Sequence, residues 1–352
     1  MGSEIHGLRP DMPFRDAAKP AIGKKLDELF EHEAGTRAGE DIEELHDMRV
    51  ASRRLRAAMD VFAVCFPPKT YRPLHKMAAR LTRALGEVRD RDVMIESLER
   101  YKKKAPAEEG AGIADLIGTV KDERAVYRAK MLQTLDEVDQ AGFRHHLYIV
   151  LMHEGQGNGN TAKKGGLNPR DTLQTNAQLI GVERAANLYG FVPYIHDPAN
   201  AVELHEMRIA AKHLRYALEI FRVCFGPDID DRIADVKETQ EQIGQIHDCD
   251  VLIEVLQRHH SVIAQRMHEE LVAIAVGQSP YNERMACMNA SIQQQQSADP
   301  RPGILSLLAR KIDERNRRYT EFIRWWDEQQ QNNMRGKLYS CLAAVNGLKV
   351  ES

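Results

Sequence analysis

His46, Arg49, Arg53 and Arg56 stand at i, i+3, i+7 and i+10, and His205, Arg208, Lys212 and Arg215 repeat that spacing. Steps of three and four place such groups on one face of an α-helix. On a wheel of about 100° per residue with His46 at zero, Arg53, Arg49 and Arg56 fall near −20°, −60° and −80°. Met48, Leu55, Met59, Phe62 and Phe66 fall near 160–220° on the same wheel, so a core stripe lies opposite the basic one. In the second row the apolar side is Met207, Leu214, Leu218 and Phe221.

Like charges stacked at these spacings repel by a few tenths of a kcal/mol per pair. No acid enters either stripe before Asp60 or Glu219. An anion with closely spaced charges lying along the row would offset that repulsion. The planar guanidinium fork suits phosphate oxygens, to which it donates two parallel hydrogen bonds. The competing reading is a solvated face whose bases pair with acids of a neighbouring helix. Repetition of the row favours the ligand, as do further bases on the next helix, Lys76, Arg80 and Arg83 at i, i+4 and i+7. The corresponding helix of the second copy offers Lys237 beside Glu238 and Glu241, so the first copy should bind more strongly. His46 and His205 have two open roles: a donor facing the ligand, or a structural bond at the helix start. In Arg89-Asp90-Arg91-Asp92 and His247-Asp248-Cys249-Asp250, the aspartates are read as N-caps that open helices, in preference to metal binding or acid catalysis.

The elements that carry these rows are duplicated. Glu44–Phe66 returns as Glu203–Phe225 at an offset of 159, with 13 identities in 23 positions. Leu85–Leu98 returns as Ile243–Leu256 at an offset of 158. Two blocks in one order at nearly one spacing indicate a repeated unit of roughly 150 residues. Apolar residues recur at three and four throughout, and no run alternates as a strand would. The periodicity predicts helices over 21–34, 41–66, 71–88, 91–104, 112–151, 172–190, 199–225, 229–246, 249–276, 281–295 and 304–330. The expected fold is all-α: two helical bundles related by a pseudo-two-fold. The divisions are an N-terminal extension (1–19), a first half (20–152), a Gly-rich linker (153–171), a second half (172–330) and a tail (331–352). Gln293–Gly303, with four consecutive Gln, Pro300 and Pro302, is expected to be a loop.

The chain has 352 residues and a formal charge of −3, which does not exclude a polyanion partner because the charge is segregated. From His46 to Arg91, eleven bases stand against four acids, leaving +7 there and −10 over the rest. No stretch approaches the roughly 20 apolar residues of a membrane helix. No secretory leader is evident, so the expected compartment is the cytoplasm. Five cysteines, an odd number without CxxC spacing, read as buried small hydrophobes rather than as disulfide, redox or metal sites.

The stretches LHDMRVASRRLRAAMDVF and LHEMRIAAKHLRYALEIF, with the later RDRDV and HDCDV blocks, resemble the CHAD family (conserved histidine α-helical domain) over roughly residues 20–330. The resemblance implies two pseudo-symmetric helical bundles whose basic faces line a central groove or pore. It further implies inorganic polyphosphate as ligand, a place at polyphosphate granules and granule-associated proteins as neighbours. Carried onto this chain, it points to His46, Arg49, Arg53, Arg56, His205, Arg208, Lys212 and Arg215, with Arg80, Arg83, Arg89, Arg124, Arg128 and Lys237 as further contributors. His213 departs from the pattern by standing where the first copy has Arg54. With no ExExK motif, a fused triphosphate-tunnel domain is not expected. The expected function is therefore non-enzymatic binding, without cofactor or metal. Competing classes are a phosphate-transferring enzyme, a nucleic-acid binder and an adaptor for acidic protein tails. Acids are sparse beside the rows and there is no GxxxxGK[ST] loop, which argues against the first. Missing interleaved aromatics and a pI near 6.5 argue against the second.

Overall fold

The computed structural model describes residues 5–106, 109–153, 166–297 and 299–344, and the described residues are helical with no strand. The helices are α1 (Phe14–Glu31), α2 (Glu33–Ala38), α3 (Ile42–Val61), α4 (Pro68–Lys102), α5 (Gly110–Gln140), α6 (Phe143–His153), α7 (Leu173–Tyr189), α8 (Ala201–Ile220), α9 (Ile229–Ala275), α10 (Tyr281–Ser297), α11 (Arg301–Gln331) and α12 (Met334–Ala343). They form two compact units, one of residues 1–89, 127–244 and 321–352, the other of 90–126 and 245–320. The division by contact thus differs from the division by sequence repeat, since each unit draws on both halves.

In the first unit the repeated blocks adopt one local structure. α3 and α8 each run 20 residues, pass into a one-turn 3-10 segment (Ala63–Cys65, Arg222–Cys224) and end in extended backbone at Phe66 and Phe225. The Asp41 side chain accepts the Glu43 N–H at 2.9 Å, capping α3, and Glu43 and Glu44 complement the dipole in its first turn. Asn200 precedes α8 without a side-chain cap; its Nδ2 instead donates to the Tyr194 carbonyl at 2.9 Å. The apolar stripes are buried as their spacing predicts, with Met48, Leu55, Met59, Met207, Leu214 and Leu218 all inaccessible. Phe14 packs on Phe62 at 4.8 Å and on Phe221 at 6.2 Å, and Phe62 meets Phe221 edge-on at 5.9 Å. Each aromatic pair adds about 0.5–1.5 kcal/mol beyond its burial.

Ahead of α1 and α7 the chain makes reciprocal backbone bonds. The Phe14 N–H donates to the Asp171 carbonyl (2.9 Å) and the Leu173 N–H to that of Met12 (2.7 Å). The Arg15 N–H donates to the Pro169 carbonyl and the Gln174 N–H to that of Pro10, both at 3.0 Å. Each bond maps onto its counterpart through the same offset of 159 that relates the sequence blocks.

The second unit has its own core of Leu98, Ile113, Leu116, Leu252, Leu256, Ile304 and neighbours. Here one expectation is corrected. Asp90, Asp92, Asp248 and Asp250 are not N-caps, because they lie inside the uninterrupted helices α4 and α9. Asp92 pairs instead with Arg124, and Asp250 accepts from Arg315 at 3.0 Å. An interior Asp is tolerated where a facing helix supplies a cation.

Other boundaries also move. α1 begins at Phe14, ahead of the predicted start at 21. The predicted helix 112–151 breaks at Gly142, whose φ of 59° is left-handed and ends the ladder between α5 and α6. The Gln run continues α10, since Gln is a good helix former; the Asp299 side chain accepts the Arg301 N–H at 2.9 Å to start α11, with Pro302 in its first turn. The tail contains a further helix, α12, opened by Asn333 at φ 57°, whose side chain accepts the Gly336 N–H. The linker segment 154–165 lies outside the described residues. Among the described residues no helix is long and apolar enough to cross a membrane.

Candidate anion-binding site

α3 and α8, which carry the two rows, pack against each other in the first unit. His46, Arg49, Arg53, Arg56, His205, Arg208, Lys212 and Arg215 are all half-buried, not the fully exposed groups of a solvated face. Among the described residues the Nε atoms of Arg53, Arg54 and Arg56 are buried and meet no hydrogen-bond partner, and the same holds for Nδ1 of His46. Such donors are costly to leave unpaired.

The electrostatics of Lys212 locate the opposing row. Burial lowers its pKa first, followed by the charges of Arg53, Arg208, Arg56 and Arg49, and together they bring it down to about 8. Three of those four arginines belong to α3, so the α8 ammonium sits within the field of the other helix's row. His205 is lowered by burial and by Arg208 and Lys212, against the opposing charge of Glu206. His213 falls to about 4 through burial and the charges of Arg184, Lys212 and Arg56, only partly opposed by Asp60. It is neutral at physiological pH.

Arg49 and Arg208 are seated alike. A β-carbon on Gly86 of α4 would lie 3.5 Å from Arg49 Nε, and one on Gly244 of α9 would lie 3.9 Å from Arg208 Cδ. Each long helix therefore offers a bare stretch of backbone on which an arginine of the row lies.

The remaining predicted residues divide. Lys76 and Arg83 are exposed on α4. Arg89 approaches Glu43 at 3.9 Å, but its Nε and Nη1 are buried without a hydrogen-bond partner. Arg215 stands 3.7 Å from Glu219 and over the Tyr216 ring at 5.0 Å. Arg80 is taken by Glu137, and Lys237 by Glu241 at 3.3 Å. Arg128 donates to the carbonyls of Thr36, Arg37 and Ala38, so it caps the C-terminus of α2 beside Gly39 (φ 73°). Arg124 belongs to the second unit, where it holds Asp92. The structure thus sets Lys212 in the field of Arg49, Arg53, Arg56 and Arg208 and leaves Arg80, Lys237, Arg124 and Arg128 with partners of their own.

Two further cations, one buried and one half-buried, escaped the sequence reading. Lys25 of α1 is 5% exposed, lies in the field of Arg54 and donates to both carboxylate oxygens of Glu28 at 2.9 Å. Arg184 of α7 occupies the equivalent place beside His213, and burial lowers its pKa against the charges of Asp60 and Glu183. The signal was present: the offset of 159 that pairs Arg54 with His213 within the blocks also carries Lys25 onto Arg184, upstream of them. Among the described residues no group of three or more His, Cys, Asp or Glu is placed to hold a metal ion.

Comparison with known proteins gives a family and a fold. The family described as CHAD domain matches residues 20–257. The CHAD domain from the plant Ricinus communis superposes with a TM-score of 0.57 at 22% identity, covering 86% of this chain and 96% of that one. PptA from Streptomyces chartreusis superposes with a TM-score of 0.54 at 13% identity, covering 90% and 100%. At these identities the likeness concerns the fold alone. Comparison with curated proteins finds no relative.

Proposed function

The chain belongs to the CHAD domain family, and from that premise we propose that its two basic helix faces bind inorganic polyphosphate without turning it over. In this reading the halves are a duplication about an approximate two-fold, and the rows line a groove shared between α3 and α8. The observation that carries it is the crowding of Arg49, Arg53, Arg56 and Arg208 upon Lys212, where the largest perturbing charges are cationic. A fold does not gather half-buried arginines around a lysine for stability, because each added cation raises the cost of the others. A chain of singly charged phosphates a few ångströms apart relieves every one of them at once. The guanidinium forks of the row arginines would supply directed hydrogen bonds in addition to charge.

The family's association with polyphosphate supports this choice of anion, and with it a cytoplasmic place at polyphosphate granules and contact with granule proteins. The test is the double charge reversal Arg49→Glu with Arg208→Glu. Long-chain polyphosphate binding should be lost in a filter assay while the circular dichroism of the helices is retained; unchanged affinity would overturn the proposal. RNA and DNA should compete poorly at fixed salt. Incubation of the protein with polyphosphate and Mg²⁺ should release no orthophosphate, and steady release would make it an enzyme.

A further inference from the structure

Beside the α8 row, between α7 and α8, lies a cavity of about 220 Å³ lined by Arg184, Asn187, Phe191, Glu206, Ile209 and His213. On the α8 wheel His213 and Glu206 fall near 80° and 100° from His205, so this cavity opens on a different face from Arg208, Lys212 and Arg215. Through the offset of 159, Arg184, Asn187, Glu206 and His213 correspond to Lys25, Glu28, Asp47 and Arg54 of the first half. There the buried ammonium is neutralised internally by Glu28 at 2.9 Å. In the second half Asn187 replaces that glutamate, and Arg184 makes no hydrogen bond or ion pair among the described residues. The first half pairs its buried ammonium directly with Glu28; in the second half the half-buried Arg184 lines an open space, with Asp60 and Glu183 as the nearby opposing charges.

The space and its chemistry restrict the occupant. At about 30 Å³ per water it holds roughly seven waters, and it falls below the roughly 300–1,000 Å³ of sites for drug-sized ligands. Arg184 offers a forked cation and Asn187 two amide donors, while His213, held down to about 4 by burial and by Arg184 and Lys212, offers one neutral N–H. Glu206 contributes an acceptor, which a fully ionised anion would avoid. A phosphate inside a polyphosphate chain carries no such proton, whereas a terminal or free phosphate, with a second pKa of about 6, keeps an OH on about half of its groups near pH 6. Three donors with one carboxylate acceptor match the second kind of group.

Building on the polyphosphate reading, we propose that the α7–α8 cavity binds a single phosphate that retains an OH, either the end of a polyphosphate chain or free orthophosphate. Arg184 and Asn187 take the charged oxygens, and Glu206 accepts from the P–OH. The pocket would then register chain ends, while the rows hold chain interiors.

The experiment compares the full chain with Asn187→Glu, which restores the internal pairing of the first half, and with Arg184→Gln. Near pH 6, each is titrated with orthophosphate, tripolyphosphate and long-chain polyphosphate whose ends are blocked as phosphoramidates. Both variants should lose about ten-fold or more in affinity for tripolyphosphate and stay within two-fold of the parent for the end-blocked chain. Orthophosphate that binds the parent and is lost in both variants marks free phosphate as an occupant; loss confined to tripolyphosphate marks the chain end. Tripolyphosphate affinity that is unchanged in both variants, or losses equal for both long and short ligands, would overturn the pocket. A parent that binds tripolyphosphate through Arg184 yet ignores the end-blocked chain would instead overturn the reading of the rows.

Discussion

Lys212 concentrates the residue-scale argument. Burial and four arginines favour its neutral amine, so the folded protein releases this proton near pH 8, while the unfolded chain holds it to about 10.5. The unfolded state therefore binds more protons between those values, and the contribution of this group makes the protein more stable as pH rises through that window. Below about pH 8 the full penalty is present. Lys212→Met should accordingly raise the stability of the free protein by about 1–2 kcal/mol in urea unfolding at neutral pH, and weaken polyphosphate binding. A bound polyanion restores the ammonium, so binding near pH 8–9 should take up protons. Calorimetric heats that vary with the ionisation enthalpy of the buffer would show it; heats independent of buffer would contradict it. Of the predicted residues, the row members were legible because four side chains at helical spacing occur twice. Arg128 and Arg124 were not, because which cation caps α2 or holds Asp92 is decided by helices distant in sequence.

At the scale of elements, the paired glycines carry the argument. Glycine inside a helix costs about 1 kcal/mol relative to alanine. Gly86 and Gly244 persist in long helices where an arginine of the row lies over them. The β-carbon of Gly86→Ala would stand 3.5 Å from Arg49, an ordinary contact, so this variant should gain a few degrees in Tm and keep its affinity. Gly86→Leu should displace Arg49 and reduce affinity several-fold with helicity unchanged; equal affinities for the two variants would show that the seat does not matter. The fold class and the paired helices α3 and α8 were legible from periodicity and repetition. The joins were not. Asp92 and Asp250 carry the residue type of a cap, and only the arginines of facing helices, Arg124 and Arg315, explain why α4 and α9 run on. The Gln run read as low complexity, yet its intrinsic propensity extends α10. Asp92→Ala should destabilise the protein by about 2–3 kcal/mol, because it leaves Arg124 without its carboxylate. The second unit should unfold first in urea, with polyphosphate affinity unchanged when measured below the transition.

For the whole molecule, segregation of charge matters more than its sum. A net −3 conceals +7 between His46 and Arg91, and the −10 elsewhere should repel bulky nucleic acids while a thin polyanion reaches the rows. Binding that neutralises successive phosphates releases counterions, and affinity must then fall steeply with salt. By analogy with single-stranded nucleic acids, at about 0.7 per contact, the six Arg and Lys of the rows give a slope of log K against log salt near −4. The most direct measurement is therefore the affinity for long-chain polyphosphate at several salt concentrations, for the parent and for the Arg49→Glu, Arg208→Glu protein. The account predicts a slope near −4 in the parent and little or no binding in the variant. A salt-independent affinity, or parallel slopes in the two proteins, would contradict it.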